Sequence, residues 1–82
     1  MIRFKSLVWS INYGPNEYHR YDHCIAKTSI GDYIIEWKGW KEHPSYSIEG
    51  PNNCFYTSDS LDDAKKLAHS DYIQRIVDCI YE

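Results

Sequence analysis

The most constraining stretch of the chain is SLDDAKKLAHSDYIQRIVDCI, residues 60–80. At about 100° per residue, Leu61, Ala64, Ala68, Tyr72, Ile76, Cys79 and Ile80 fall within a stripe about 160° wide, with Asp63, Lys66, Ser70, Gln74 and Asp78 opposite. That periodicity predicts an α-helix from about residue 61 to 80 lying on an apolar surface, to which Ala64 and Ala68 allow a close approach. Ser60 stands at the N-cap position, and Asp62 and Asp63 place negative charge in the first turn, where the helix dipole favours it. Asp63 is shorter than the Glu of a capping box, so the bond from the cap is expected ahead of the reciprocal one.

A helix of this kind needs a partner layer, and the preceding residues have no helical period. They show instead short alternating or β-branched and aromatic runs separated by Gly, Pro, Asn and Ser. Strands are expected at about 3–13, 21–28, 33–38, 46–49 and 54–57. In the first, Leu7, Trp9, Ile11 and Tyr13 alternate onto one side, and GPNE at 14–17 ends it. SIGD at 29–32 is a tight turn in which Gly31 is free to take positive φ, and GPNN at 50–53 turns the chain again. Connections this short join neighbours antiparallel, because a parallel crossover takes a dozen residues or more. The fold class is therefore α+β: an antiparallel four- to five-stranded β-meander with one long C-terminal helix on one face, a single domain over residues 1–82.

Charge and cysteine content narrow the function. The net charge is −3, with nine basic residues scattered rather than gathered in a run, which argues against binding phosphate backbones and favours a protein partner. No segment approaches a membrane span, and residues 1–11 lack the apolar core and cleavage site of a signal peptide, so a cytoplasmic location is expected. Cys24, Cys54 and Cys79 are odd in number and include no C-x-x-C pair, so reduced thiols are expected.

His19, His23 and Cys24 lie close in sequence, and His43 or Cys54 would have to complete any metal site. Structural zinc carries a paired ligand pattern that is missing here, and on a strand His23 and Cys24 point to opposite faces. No metal or other cofactor is expected. Cys54 with a histidine, or Glu36 with Glu49, could be assembled into a catalytic pair on paper, but there is no G-x-S-x-G, phosphate-binding loop or H-E-x-x-H. The chain reads as non-enzymatic.

Aromatic residues make up 16% of the sequence, as expected where large side chains must do much of the packing of a small domain, so the question is which of them face solvent. In the third strand Tyr33, Ile35 and Trp37 share one face while Ile34, Glu36 and Lys38 share the other, and the helix can cover only one. If it covers the first, Trp37 is core and Trp40, past Gly39 in the connection, is the exposed ring. If it covers the second, Trp37 joins an exposed aromatic patch. Exposed Tyr and Trp on a solvated sheet face suit protein association. Trp40, Tyr46, Tyr18, Tyr21 and Trp37 are the candidate apolar contacts, and Glu36, Asp32 and Glu49 the candidate acidic ones. The same rings beside Arg20, Lys38 and Lys41 would serve a nucleic-acid module, and a self-associating domain, a homodimer, is a third class.

The segments TSIGDYIIEWKGW (28–40) and FYTSDSLDDAKKLAHSDYIQRI (55–76) carry a resemblance. A G-x-Y-x-I strand, a further short strand, a helix entry of the form F-x-S/T-x-x-x-A-K-x-x-A and a D-Y-x-x-R-I helix end resemble small phage- and prophage-encoded proteins to which no functional residues are assigned. The resemblance covers roughly residues 22–78, and the chain departs from the pattern in its long N-terminal strand and its tyrosine- and histidine-rich second strand. It implies an accessory protein that acts in a bacterial host by binding a host protein or complex. An inhibitor of a defence system, of the anti-CRISPR kind, is the implied class. The warrant is analogy of fold and context.

Overall fold

The computed structural model describes residues 7–15 and 20–80, except for the side chains of residues 52 and 78–80. Four strands, β1 (Asp22–Thr28), β2 (Gly31–Trp37), β3 (Tyr46–Glu49) and β4 (Phe55–Ser58), form one sheet in the order β1-β2-β3-β4. Every neighbouring pair is antiparallel. A twenty-residue helix, α1 (Leu61–Ile80), packs on one face, chiefly over β3 and β4. The architecture is the expected four- to five-stranded meander with its C-terminal helix, and four regular strands occur among the described residues.

Turn chemistry sets the register. β2 begins two residues before the sequence suggested, because only Ser29 and Ile30 form the loop between the paired Thr28 and Gly31. Thr28 Oγ1 accepts from the Ile30 amide and donates to the Gly31 carbonyl. Gly31 takes φ +129°, and a Cβ there would come within 2.9 Å of Pro51 Cγ, so glycine is required on two counts. Between β3 and β4, Pro51–Asn53 make one 3₁₀ turn closed by the Asn53 backbone at φ 61°, a conformation asparagine tolerates.

The pairings assign the faces. Cys24, Ile35, Ile48 and Tyr56 form one row across the sheet beneath the helix, and Ala26 and Tyr33 a second. Five of these six are fully buried with Ala64 and Ala68 of α1, whose missing side-chain bulk lets the helix settle onto the sheet. Tyr56 packs at the edge of that core with Leu61 and Tyr72, and the Tyr72 ring meets Tyr33 edge-on at 6.4 Å. Burial pushes the Cys24 thiol pKa up, partly offset by Lys65. The helix therefore covers the Tyr33–Ile35–Trp37 side of β2, which resolves the alternative left open by strand parity. The N-cap reading also holds, with the Asp63 amide donating to Ser60 Oγ at 3.1 Å.

Residues 7–15 depart from the expectation of a regular first strand. They touch β1 through two isolated antiparallel bridges, Trp9 to Ala26 and Tyr13 to His23; residues 3–6 lie outside the described chain. Three residues separate Trp9 from Tyr13, but only two separate their partners, so one extra residue is accommodated as a bulge. The Ser10 amide donates to the Ile25 carbonyl, and Ser10 Oγ accepts from the Ile25 amide at 3.0 Å, replacing the ladder carbonyl. This shift breaks the alternation of Leu7, Trp9, Ile11 and Tyr13. Leu7 and Trp9 pack against the core, Ile11 is 75% exposed, and Tyr13 is turned to the opposite face, where its ring stacks on His23 at 5.4 Å.

Candidate binding surface at the aromatic end of the sheet

The C-terminal end of β2 carries Glu36 and Trp37 to opposite faces, and the chain then turns sharply, with the Lys41 amide donating to the Lys38 carbonyl at 3.1 Å. Gly39 permits this turn to sit against Asp22 at the start of β1. A Cβ on Gly39 would lie 1.7 Å from Asp22 Oδ2, a place already filled by the carboxylate. The turn is thus held to the sheet by a close approach, and it presents Trp40 outward with 67% of its surface exposed.

Around that ring the chain gathers aromatic and basic groups. Trp40 lies tilted against Tyr21 at 5.8 Å, and Lys38 Nζ stands 5.9 Å over the Tyr21 ring, a cation–π arrangement. Trp37 leans on its cross-strand partner Tyr46 at 5.3 Å, closing the core at this end. One ring of each pair, Tyr21 and Trp37, lines a cleft of about 210 Å³. Lys38, Lys41, Ser45 and Ser47 supply donors, and Glu36 also lines it. Glu36 stands opposite His23 across the ladder and is already engaged within the fold.

Of the eight candidate contacts, Tyr21, Glu36, Trp37, Trp40 and Tyr46 are therefore brought to one end of the sheet. Trp37 and Tyr46 are half-buried there, so they support the surface more than they present it. Asp32 and Glu49 are exposed on the face away from the helix, Glu49 opposite Ile34 and Asp32 two residues before it. They do not line the aromatic cleft. Tyr18 lies outside the described residues, as does His19. His23 is only 3% exposed and its Nδ1 donates to the Tyr21 carbonyl at 3.1 Å, while Cys24 points to the helix face. No group of three or more metal-ligating side chains occurs among the described residues. Nor is any helix among them long and apolar enough to cross a membrane.

One polar cluster escaped the sequence reading. Asp71 accepts from Tyr33 Oη at 2.6 Å, Tyr56 Oη at 2.7 Å and Arg75 Nε at 2.7 Å, with Cys54 Sγ at 3.8 Å. Its carboxylate is 10% exposed. Burial would push the Asp71 pKa up, but the three hydrogen bonds outweigh it and hold the pKa below the ordinary carboxylate value. Burial and then the bond to Asp71 push Tyr33 up; for Tyr56 the bond comes first. Both hydroxyls thus stay protonated and donating. With its acceptor positions occupied by hydroxyls and a guanidinium of its own chain, this cluster fastens helix to sheet. A signal for it was available, because at about 100° per residue Asp71 falls only about 20° beyond the apolar stripe and Arg75 falls inside it.

Compared with protein-family models, with curated proteins and with solved structures, the chain matches none.

Proposed function

We propose that the chain is a non-enzymatic binding domain that engages a host protein through the aromatic end of its sheet. The observation that carries this reading is Trp40. The turn at 38–41 is fixed by the contact between Gly39 and Asp22, yet it leaves two thirds of an indole in solvent beside Tyr21. Holding a large apolar ring out of the core forgoes about 2 kcal/mol of burial, a cost that a partner's surface would recover. Rigid Trp and Tyr anchors beside charged rims are the residues on which protein interfaces concentrate their energy. The resemblance to phage and prophage accessory proteins suggests the setting: a small inhibitor that covers part of a bacterial defence complex.

Two experiments test the proposal. Tagged wild-type chain and a Trp40→Ala variant are used to capture partners from a bacterial lysate; a protein retained by the first and lost with the second supports the reading, and equal retention by both overturns it. For the defence setting, a phage is plated on a host whose CRISPR immunity targets it, with and without the chain. Restored plating supports inhibition, and unchanged plating removes it.

A nucleic-acid module is the second reading, favoured by exposed Lys38 and Lys41 at the same cleft and by exposed Arg20, next to Tyr21 in sequence. Tight binding to RNA or DNA that collapses between about 50 and 200 mM salt would establish it in place of the first.

A further inference from the structure

We infer that the cleft beside Trp40 receives an acidic side chain, an aspartate or glutamate carried on an apolar peptide segment of the partner. This inference rests on the protein-binding reading above and names what that partner presents.

Charge complementarity at the cleft is the basis. Lys38 and Lys41 stand at the two ends of one turn, both exposed, and neither has a carboxylate within ion-pair distance among the described residues. Lys38 is oriented by the Tyr21 ring rather than by an acid. Ser45 and Ser47, which also line the cleft, add hydroxyl donors. Glu36 is the one carboxylate among the described residues lining the cleft, and the two ammonium groups of Lys38 and Lys41 outnumber it. The result is a locally donor-rich recess in a chain whose net charge is −3.

Size and shape agree with one side chain. The cleft, about 210 Å³ and open to solvent, has room to admit one acidic side chain. A carboxylate there would meet ammonium and hydroxyl donors, and charge-assisted bonds of this kind are the stronger ones. Apolar neighbours on the same peptide would lie on Tyr21 and the exposed face of Trp40.

A single-stranded nucleic acid fits less well. Such ligands are tracked by a groove of several cations along the backbone, whereas here Lys41 is followed by Glu42, and Asp22 and Glu36 flank the turn. A run of phosphates would cross those acids, but one carboxylate need not.

The test uses the full chain and fluorescence anisotropy with three labelled probes: an alternating glutamate–leucine hexapeptide, its lysine–leucine counterpart and a twelve-nucleotide oligo-dT. Variants are Trp40→Ala, the double Lys38→Glu/Lys41→Glu, and the neutral double Lys38→Gln/Lys41→Gln, each checked for native circular dichroism. The expected result is binding of the acidic peptide only, weakened about tenfold or more by either lysine pair substitution and by Trp40→Ala. Absence of acidic-peptide binding, binding indifferent to both lysine pairs, or equal binding of the basic peptide would overturn the inference, as would oligo-dT bound more tightly and lost with the same variants.

Its failure is distinguishable from failure of the parent reading. A host protein captured by wild type, lost with Trp40→Ala and retained by Lys38→Glu/Lys41→Glu leaves the binding domain standing and removes the acidic ligand. Capture that survives Trp40→Ala removes the parent reading itself.

Discussion

Asp71→Ala is the substitution that best tests how this small domain holds together. The carboxylate lies 10% exposed between helix and sheet and accepts three hydrogen bonds from its own chain. Removing it leaves the Tyr33 hydroxyl, on a fully buried residue, without its acceptor, at a cost of about 1–3 kcal/mol. Tyr56 and Arg75 are half-buried and can turn to water, so their losses are smaller, on the order of 0.5 kcal/mol each. The sum is about 3 kcal/mol, against a total stability of about 4–12 kcal/mol for a chain of this length. Urea unfolding followed by tryptophan fluorescence and circular dichroism should show the midpoint falling by about 2–3 M at a slope near 1 kcal/mol/M. The decisive comparison is Asp71→Ala combined with Tyr33→Phe. Once the orphaned hydroxyl is gone, the double variant should be less destabilised than the sum of the singles by about 1 kcal/mol or more. Additivity within about 0.5 kcal/mol, or an Asp71→Ala cost below about 1 kcal/mol, would refute the account.

Three further outcomes follow from the same geometry. Because the folded Asp71 pKa is held below its unfolded value near 3.9, its contribution is fully present above that pH and is lost as pH falls through the folded pKa. The stability gap between wild type and Asp71→Ala should therefore be constant near neutrality and close in acid, as read by urea midpoints at a series of pH values. Gly50→Ala would place a Cβ 2.7 Å from both Cys54 Sγ and Tyr33 Cε1, beside that cluster, and should cost about 1–3 kcal/mol, seen as a lower Tm. Ser60→Ala removes the acceptor of the Asp63 amide and should cost about 1 kcal/mol in urea unfolding.

The helix and the sheet were legible because each is written in a local period. Ala64 and Ala68 on one stripe, and Tyr33 and Ile35 two apart, are patterns that a backbone repeat turns into faces, and short Gly- and Pro-containing turns leave antiparallel neighbours as the only connection. Parity also tied Trp37 to the core once the helix chose its side, and left Trp40 outside that rule. The N-terminal segment was not legible for the converse reason. A bulge adds one residue without changing the local composition, so Leu7, Trp9, Ile11 and Tyr13 read as one face while the structure uses them as two.

Ser10 shows why that register is specific rather than slack. An extra residue in a strand leaves one ladder donor unmatched, and an unmatched amide against a sheet costs about as much as a lost hydrogen bond. Here the Ile25 amide is satisfied by Ser10 Oγ, a side-chain acceptor placed where the bulge removed a carbonyl. The polar residue that looks like the solvent side of an alternating strand is thus what makes the shift tolerable, and the shift in turn carries Tyr13 over His23 on the open face. The same reasoning applies to Asp71, whose partners lie 38 and 15 residues away on β2 and β4. A charge beside an apolar stripe signals that something must answer it, but only the sheet order decides that two tyrosines do.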